Sequence, residues 1–521
     1  MSKSIFRIAG LIAVLTIISK FAGFLRDVFV AQAYGATSVS DAYFYAYQIP
    51  SLALILLGGL GGPFYTATVA VFSKIVTDVT QKPDETVKET FYQFVTITAI
   101  VFGVLSVLVY IFSDTIIGLI ISQGTPELIK IASMQLKIMS PMILIGGVIG
   151  IYYGVANVYR EFFYTSLSPL MASITIIFAL IFLPNDKYVL ILAYSTLVGA
   201  VFQLILQLPA CFRVGLFYRP SFSFSSNEMK QLGEILFPAM LGTTVGQINV
   251  YIDMFFTSGL EEGAWSAVSY GNKIFQFPVG VITTAFLVPL FPMFSSFVGQ
   301  KDFSSLKEYF HKGLNSLWFL SFPVFALMAI FSYDAIKFLF ERGAFDSDDT
   351  FLVSQALFFL SVSIIPYVAR DAVTRVFYAF GDSKTPFMIA VLSIAVKSVM
   401  NFIFVRIFGV GGITLSTTIV TFFNMIMLGI LIMPKINLEY AKFVKPLLKV
   451  SVSTFVMSVA GFMMRGAFLL GEESNLLIGI KLCVISIVCL GIFFVVSVLL
   501  KDESAYAFFK KVKARFCRGL G

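Results

Sequence analysis

Long apolar runs alternate with short polar interruptions along nearly the whole chain. A helix rises about 1.5 Å per residue, so about 20 apolar residues cross a hydrocarbon core of about 30 Å. On that measure the pattern predicts fourteen spans: 5–33, 39–73, 88–113, 127–156, 162–183, 187–212, 228–257, 264–299, 305–333, 348–379, 384–407, 410–433, 443–467 and 474–500. Spans 2, 8 and 10 are long enough to bend or tilt. The longest polar connections, about 74–90, 213–230 and 334–349, are ordinary loops. The expected fold class is therefore an all-α polytopic membrane protein whose work is done inside the bilayer.

Charge along the loops gives an orientation. With Lys3 and Arg7 in the cytoplasm, alternate loops on that side carry Lys74, Lys82, Lys88, Arg160, Arg213, Arg219, Lys230, Lys301, Lys307, Lys312, Arg375 and Lys384, followed by Lys435, Lys442 and Lys445. The opposite loops hold few cations (Lys187, Lys337, Arg342, Arg465) and the acids Glu261, Glu262, Asp346, Asp348 and Asp349. That bias places both termini in the cytoplasm. The basic tail, Lys510 to Arg518, reads as a solvated anchor near anionic lipid, with no nucleic acid involved.

Composition removes several function classes. At 58% hydrophobic and 13% charged residues, with a mean hydropathy of +0.90, this is not a soluble domain. A single histidine, His311, and no spaced Cys/His cluster argue against a zinc or haem site. Cys211, Cys483, Cys489 and Cys517 read as small apolar side chains. Paired carboxylates, a nucleophile–His arrangement and a P-loop are all missing from the pattern, so an enzyme is not expected. The first apolar segment lacks a small-residue cleavage site and reads as a retained span.

Within that first span, Ser19-Lys20-Phe21-Ala22-Gly23-Phe24-Leu25-Arg26-Asp27 places charge near the midplane, where a Lys or Arg costs about 2.5–3.5 kcal/mol. Lys20 and Arg26 lie about 120° apart on a helix, with Gly23 midway. They form a cationic face suited to a water-filled cavity that receives an anion. Asp27 offers Arg26 a neighbouring partner, but the two side chains leave the helix about 100° apart, which favours a ligand role for Arg26.

The chain also echoes itself. Asp27 precedes Pro50 by 23 residues and Asp253 precedes Pro278 by 25, each pair enclosing a Tyr/Phe-rich helix start. "FFYTSLSPL" (162–170) pairs more weakly with "AFGDSKTPF" (379–387). These offsets suggest two six-helix lobes, 1–220 and 221–434, and a C-terminal region, 435–521, with two extra spans and the tail. Such repeats are typical of rocking transporters with a site where the repeats meet.

Several motifs resemble one family. "SKFAGFLRD" (19–27), "GATSVSDAYFYAYQIPS" (35–51), "INVYIDMFF…SYGNKIFQFPVGV" (248–281), "FERGAFDSDD" (340–349) and "RVFYAFGDSKTP" (375–386) are similar to the signatures of the MurJ/MviN flippases, within the superfamily of multidrug, oligosaccharidyl-lipid and polysaccharide exporters. The resemblance covers essentially the whole chain. It implies transport of lipid II, the undecaprenyl-pyrophosphate-linked peptidoglycan precursor, from the inner to the outer leaflet of the bacterial plasma membrane by alternating access. It also implies substrate binding by Ser19, Lys20, Gly23, Arg26, Lys273 and Gln276, with Lys20 and Lys273 where the family commonly has Arg. For Lys273, a helix-start lysine that snorkels is the alternative. Leu54 and Ser51 stand where relatives often carry Arg and Asn, and Arg370 or Arg375 would be the compensating cation.

By the same resemblance Asp41 is an outer gate, with a helix N-cap after Ser40 as the plainer reading. Some relatives bind sodium in the second lobe, and Asp253, Asn401 and Thr417 are the matching oxygen donors. Lys397, one turn from Asn401, is expected to pair with Asp253 as a built-in cation, leaving the membrane potential rather than Na⁺ as the main drive. No metal or other cofactor is expected. Spans 13 and 14, with Gly461, Gly466 and Gly471 near their junction, fit a groove for the lipid tail. Expected partners are lipid II, membrane lipids and enzymes of cell-wall synthesis, and the protein is expected to be a monomer. An O-antigen or other oligosaccharide-lipid flippase and a multidrug antiporter are the alternatives within the superfamily.

Overall fold

A computed structural model describes residues 2–54, 62–79, 81–183, 189–223, 225–439, 441–469 and 474–506, and every regular element among them is helical. Gly471, Lys187, Cys517 and the basic tail lie outside the described residues. The chain forms two compact units, Met1–Ser266 with Arg342–Phe345, and Ala267–Glu341 with Asp346–Gly521.

The first unit contains α1 (Ser2–Tyr34), α2 (Ser38–Ala53), α3 (Pro63–Ile75), α4 (Glu85–Ile111), α5 (Ser113–Ile120), α6 (Pro126–Met139), α7 (Met142–Val158), α8 (Phe162–Phe182), α9 (Ile191–Arg213), α10 (Asn227–Thr257) and the first turn of α11 (Ala264–Ile282). Helix α8 packs on both α1 and α9, α2 on α6, and α3 and α4 on α7, while α10 lies along α3. The second unit continues α11 through a π-helical turn, Thr283–Leu287, into α12 (Val288–Gly299). It then holds α13 (Phe303–Ile330), α14 (Ser332–Phe340), α15 (Ser347–Val362), α16 (Ile364–Ala379), α17 (Lys384–Phe408), α18 (Val410–Ile436), α19 (Ala441–Phe468) and α20 (Asn475–Leu499). Helix α18 packs on α15, α16 and α17, and α19 on α13 and α20.

Ten helices among the described residues are long and apolar enough to cross a membrane, or up to twelve when two bent pairs each count as one span. Helix α1 runs along the first expected span, and α2 with α3 along the second. Span 10 bends by 44° between α15 and α16, and span 4 bends by 40° between α6 and α7, where Pro141 follows Ser140. Span 8 carries the π-helical turn. Apolar side chains such as Phe178, Phe182, Phe455 and Phe462 are exposed, while Gln93, Gln207, Lys397 and Asn401 are buried. That is the distribution a lipid solvent selects.

Short polar residues set many helix ends. The side chains of Asp84, Thr125, Ser226 and Asp302 each accept a backbone N–H three residues on and cap α4, α6, α10 and α13. Three helices end on a cation in the left-handed region, Arg160, Lys301 and Lys501, with φ of 62°, 56° and 56°. An acid follows each cation, and its N–H closes the helix end: Glu161 to Ala156, Asp302 to Phe297, Asp502 to Ser497.

In the second unit, each helix of the α19–α20 hairpin is capped by a lysine of the other. Lys481 donates to the Phe468 carbonyl (3.1 Å) at the end of α19, and Lys449 to the Lys501 carbonyl (2.8 Å) just beyond α20. Arg465 of α19 donates to Asp334 of α14 at 2.6 Å, tying the hairpin to its unit. Gly461 faces Cys489 across the hairpin, its missing side chain leaving room for the thiol.

Candidate functional site

In the first unit, Arg26 is half-buried and donates through Nε (3.1 Å) and Nη2 (2.9 Å) to Oδ1 of Asp27, which is buried. The guanidinium stem is long enough to wrap back over the helix, so the neighbouring pair does form despite the angle between the two side chains. Tyr43 and Tyr47 of α2, stacked with ring centroids 5.6 Å apart, lie in electrostatic reach of Arg26. Tyr43 is fixed from behind by a 2.9 Å hydroxyl contact with Thr196 of α9. Lys20 is exposed on α1, Ser19 is half-buried, and Gly23 faces Ser173 of α8 at ordinary contact distance. Leu54 packs on Gly146 of α7, so the position where relatives often carry Arg is occupied here by an apolar contact.

On α2, Asp41 is only 4% exposed. Its carboxylate accepts from the backbone N–H groups of Gly263 (2.9 Å) and Ser266 (2.7 Å) and from the Ser266 hydroxyl (2.7 Å). Asp41 thus caps the start of α11 from another helix, where the N–H groups have no intrahelical partner. The N-cap of α2 itself is Thr37. Around this contact, Ser40 and Ser266 hydroxyls meet at 2.9 Å, the Ser38 N–H donates to Glu262 (2.6 Å), and Trp265 stacks on Tyr45 with centroids 5.4 Å apart. A second segment joins it: the Ala344 N–H donates to the Gln32 carbonyl at 2.8 Å. The motifs that hold Asp41 and Gly343 are legible in the sequence, with Glu262 there only as a loop acid, but the parts played by Ser266 and Trp265 are found only once the chain is folded.

Farther along α2, Gln48 Nε2 donates to Oε1 of Gln247 on α10 at 3.3 Å. Asp253 lies on the same α10, half-buried. Its backbone carbonyl accepts from the Thr257 hydroxyl (2.5 Å).

In the second unit, Lys273 of α11 is half-buried with its ammonium 5.7 Å from the centre of the Tyr270 ring, and Gln276 is exposed one turn on. Arg370 lies over Tyr367 (4.4 Å) and Arg375 pairs with Asp371 (3.4 Å). Lys397 is 2% exposed. Its ammonium donates to the Thr417 hydroxyl and, at 3.5 Å, to the Ile413 carbonyl, both on α18, with buried Asn401 one turn along α17. Three of the four proposed coupling residues are thus carried by the α17–α18 pair, and the ammonium is held by the type of oxygen donors a sodium ion would use.

The sequence model of the family described as "Lipid II flippase MurJ" matches residues 30–481. The chain belongs to the MurJ family. A relative from Synechocystis sp., named a probable lipid II flippase MurJ, is 33% identical over 440 residues, covering 81% of this chain and 80% of the relative. One from Buchnera aphidicola subsp. Schizaphis graminum, with the same name, is 28% identical over 422 residues, covering 80% and 81%. Among solved structures, "Lipid II flippase MurJ, inward closed conformation" aligns over 95% of this chain and 99% of its own, with a TM-score of 0.78 at 22% identity. An inward-facing multidrug resistance MATE family transporter of the MOP superfamily aligns over 82% and 98%, with a TM-score of 0.61 at 14% identity. These likenesses show that this MurJ family member shares its fold with both structures.

Proposed function

We propose that this protein is a lipid II flippase, moving the undecaprenyl-pyrophosphate-linked precursor from the inner to the outer leaflet of the bacterial plasma membrane by alternating access. Family membership supports the substrate. The observation that carries the chemistry is Arg26, half-buried in the bilayer-spanning α1 and already engaged by a carboxylate. A pyrophosphate cannot cross hydrocarbon with its charge exposed. Arg26 offers it a fork of donors, with Asp27 holding that fork in place until the phosphate competes for it. Lys20 and Lys273 supply further charge without the bidentate geometry. Asp41 is the gate: its three hydrogen bonds, each worth about 1.5–3 kcal/mol, must be exchanged before the segments around Gly263 and Gly343 can part.

The energy source in this reading is the membrane potential. The buried Lys397 ammonium takes the place of a sodium ion, and moving one charge through 100 mV supplies about 2.3 kcal/mol. The protein works as a transporter rather than an enzyme, as a monomer with both termini in the cytoplasm, in contact with membrane lipids and enzymes of cell-wall synthesis.

The test is complementation of a strain depleted of its own lipid II flippase, with wild type, Arg26→Ala and Lys273→Ala matched for expression and insertion. Rescue by wild type and failure of both variants is the expected result. A well-inserted wild type that never rescues overturns the reading.

A further inference from the structure

We propose that Gln48 and Gln247 form the part of the substrate site that reads the uncharged portion of the headgroup, its sugar hydroxyls and amides, beside the cation that meets the pyrophosphate. This deepens the flippase reading and rests on it.

The argument begins with helical register. Gln48 follows Asp41 by seven residues, two turns of α2, so the two lie on one face about 10 Å apart along the axis. Asp41 meets the start of α11 and Gln48 meets α10, so this one face of α2 contacts the 247–266 segment twice. The two contacts differ in kind. Asp41 is buried with three short hydrogen bonds, whereas Gln48 and Gln247 are both half-exposed and share one bond of 3.3 Å, just beyond the usual range.

A glutamine carries two N–H donors and an oxygen with two lone pairs. The described bond uses a single donor of Gln48 and the oxygen of Gln247, leaving much of this valence for another partner. Both residues sit well inside their helices: Gln247 lies ten residues, about 15 Å, from the end of α10. Among its described residues, the apolar stretch that marks α10 as a span contains no buried side chain. Half-exposed amides at that depth face a water-accessible path, because hydrocarbon offers them no hydrogen bonds.

Position supplies the ligand class. Tyr47, stacked on Tyr43 and next in the chain to Gln48, lies in electrostatic reach of Arg26, so Gln48 occupies the turn of α2 beside the cation and Gln247 of α10 meets it there. Neutral amides do not compete for a phosphate against a guanidinium. They match the alternating donors and acceptors of an N-acetylated sugar or a peptide.

The test is equilibrium binding of two lipids to the purified full-length protein: lipid II, and undecaprenyl pyrophosphate, which lacks the sugars and peptide. Wild type should bind lipid II more tightly. Gln48→Met and Gln247→Met, which keep length and helix preference, should each weaken lipid II binding about fivefold while leaving undecaprenyl pyrophosphate unchanged. The unchanged ligand reports that each variant is folded. Equal weakening of both ligands makes the pair a structural latch and overturns the inference, as does no change for lipid II in either variant. A wild type that binds neither lipid overturns the flippase reading itself.

Discussion

Asp41 accepts both the backbone N–H and the hydroxyl of Ser266, a residue 225 positions later in the chain. Asparagine would keep one acceptor oxygen but turn its NH₂ toward the N–H groups of Gly263 or Ser266. Asp41→Asn should therefore loosen the contact between α2 and the start of α11 while leaving the helices intact. A cysteine placed at Ala42, which is fully buried, should react several-fold faster with a membrane-impermeant maleimide in the Asp41→Asn background. An unchanged rate would show that Asp41 does not hold the gate.

Two glycines let the backbone approach closely around the same contact. Gly263 has φ +84°, and a Cβ there would lie 2.0 Å from the Ala36 carbonyl oxygen. Gly343 has φ +65°, and its Cβ would lie 2.4 Å from the Gln32 carbonyl oxygen. Both backbones are strained for any L side chain, and both neighbours are main chain that cannot rotate away. Gly263→Ala and Gly343→Ala should each raise labelling at the Ala42 cysteine as Asp41→Asn does, and each should fail to support growth. Gly103→Ala, which meets nothing within 4 Å, should do neither.

The helical membrane architecture and the bend in span 10 were legible because apolar length acts locally, whereas ten to twelve of the fourteen expected spans are found among the described residues and the bend in span 4 was not foreseen. The two cations of α1, Lys20 and Arg26, stand out in the sequence wherever the helix packs, and the structure leaves Lys20 exposed and Arg26 half-buried. What sequence spacing did not reveal is decided by distance or by side-chain reach. The partner of Asp41 is more than two hundred residues away, and the register joining Gln48 to Gln247 exists only after α10 packs along α3. Arg26 reaches Asp27 because three methylenes and a planar fork span an angle that Cα–Cβ directions alone would forbid. The repeated helix end, a cation in the left-handed region followed by an acid at Arg160, Lys301 and Lys501, was present in the sequence but unread, since glycine is the residue usually sought there.

Asp382, in the turn between α16 and α17, makes a 2.5 Å bond with Lys435 and accepts from the N–H and hydroxyl of Thr385. The Lys435 ammonium beside it holds its carboxyl down at about 2, against an ordinary 3.8. A carboxylate lowered in the folded state stabilises it fully above its unfolded value and loses that contribution as pH falls toward the folded one. Asp382→Asn should thus lower the stability of detergent-solubilised protein by about 1 kcal/mol at pH 7. That difference should shrink between about pH 4 and pH 2, as followed by thermal unfolding at successive pH values. A difference that persists at pH 2 would assign the effect to packing rather than charge.

The Lys397 ammonium gives the energy source its sharpest test. It is buried between α17 and α18 against the Thr417 hydroxyl and the Ile413 carbonyl. A sodium ion bound by those oxygens would sit against a fixed positive charge, and at such separations in a low-dielectric interior the repulsion exceeds what two neutral oxygens return. Flipping in proteoliposomes should therefore keep its rate when choline replaces sodium at a fixed membrane potential, and should slow when the potential is collapsed. Thr417→Val should remove an acceptor from a buried charge and cost about 1–3 kcal/mol of thermal stability, whereas Thr417→Ser should cost much less. A rate that follows sodium at constant potential would mean that the ammonium leaves this position during the cycle, and that the ion rather than the voltage drives the return step.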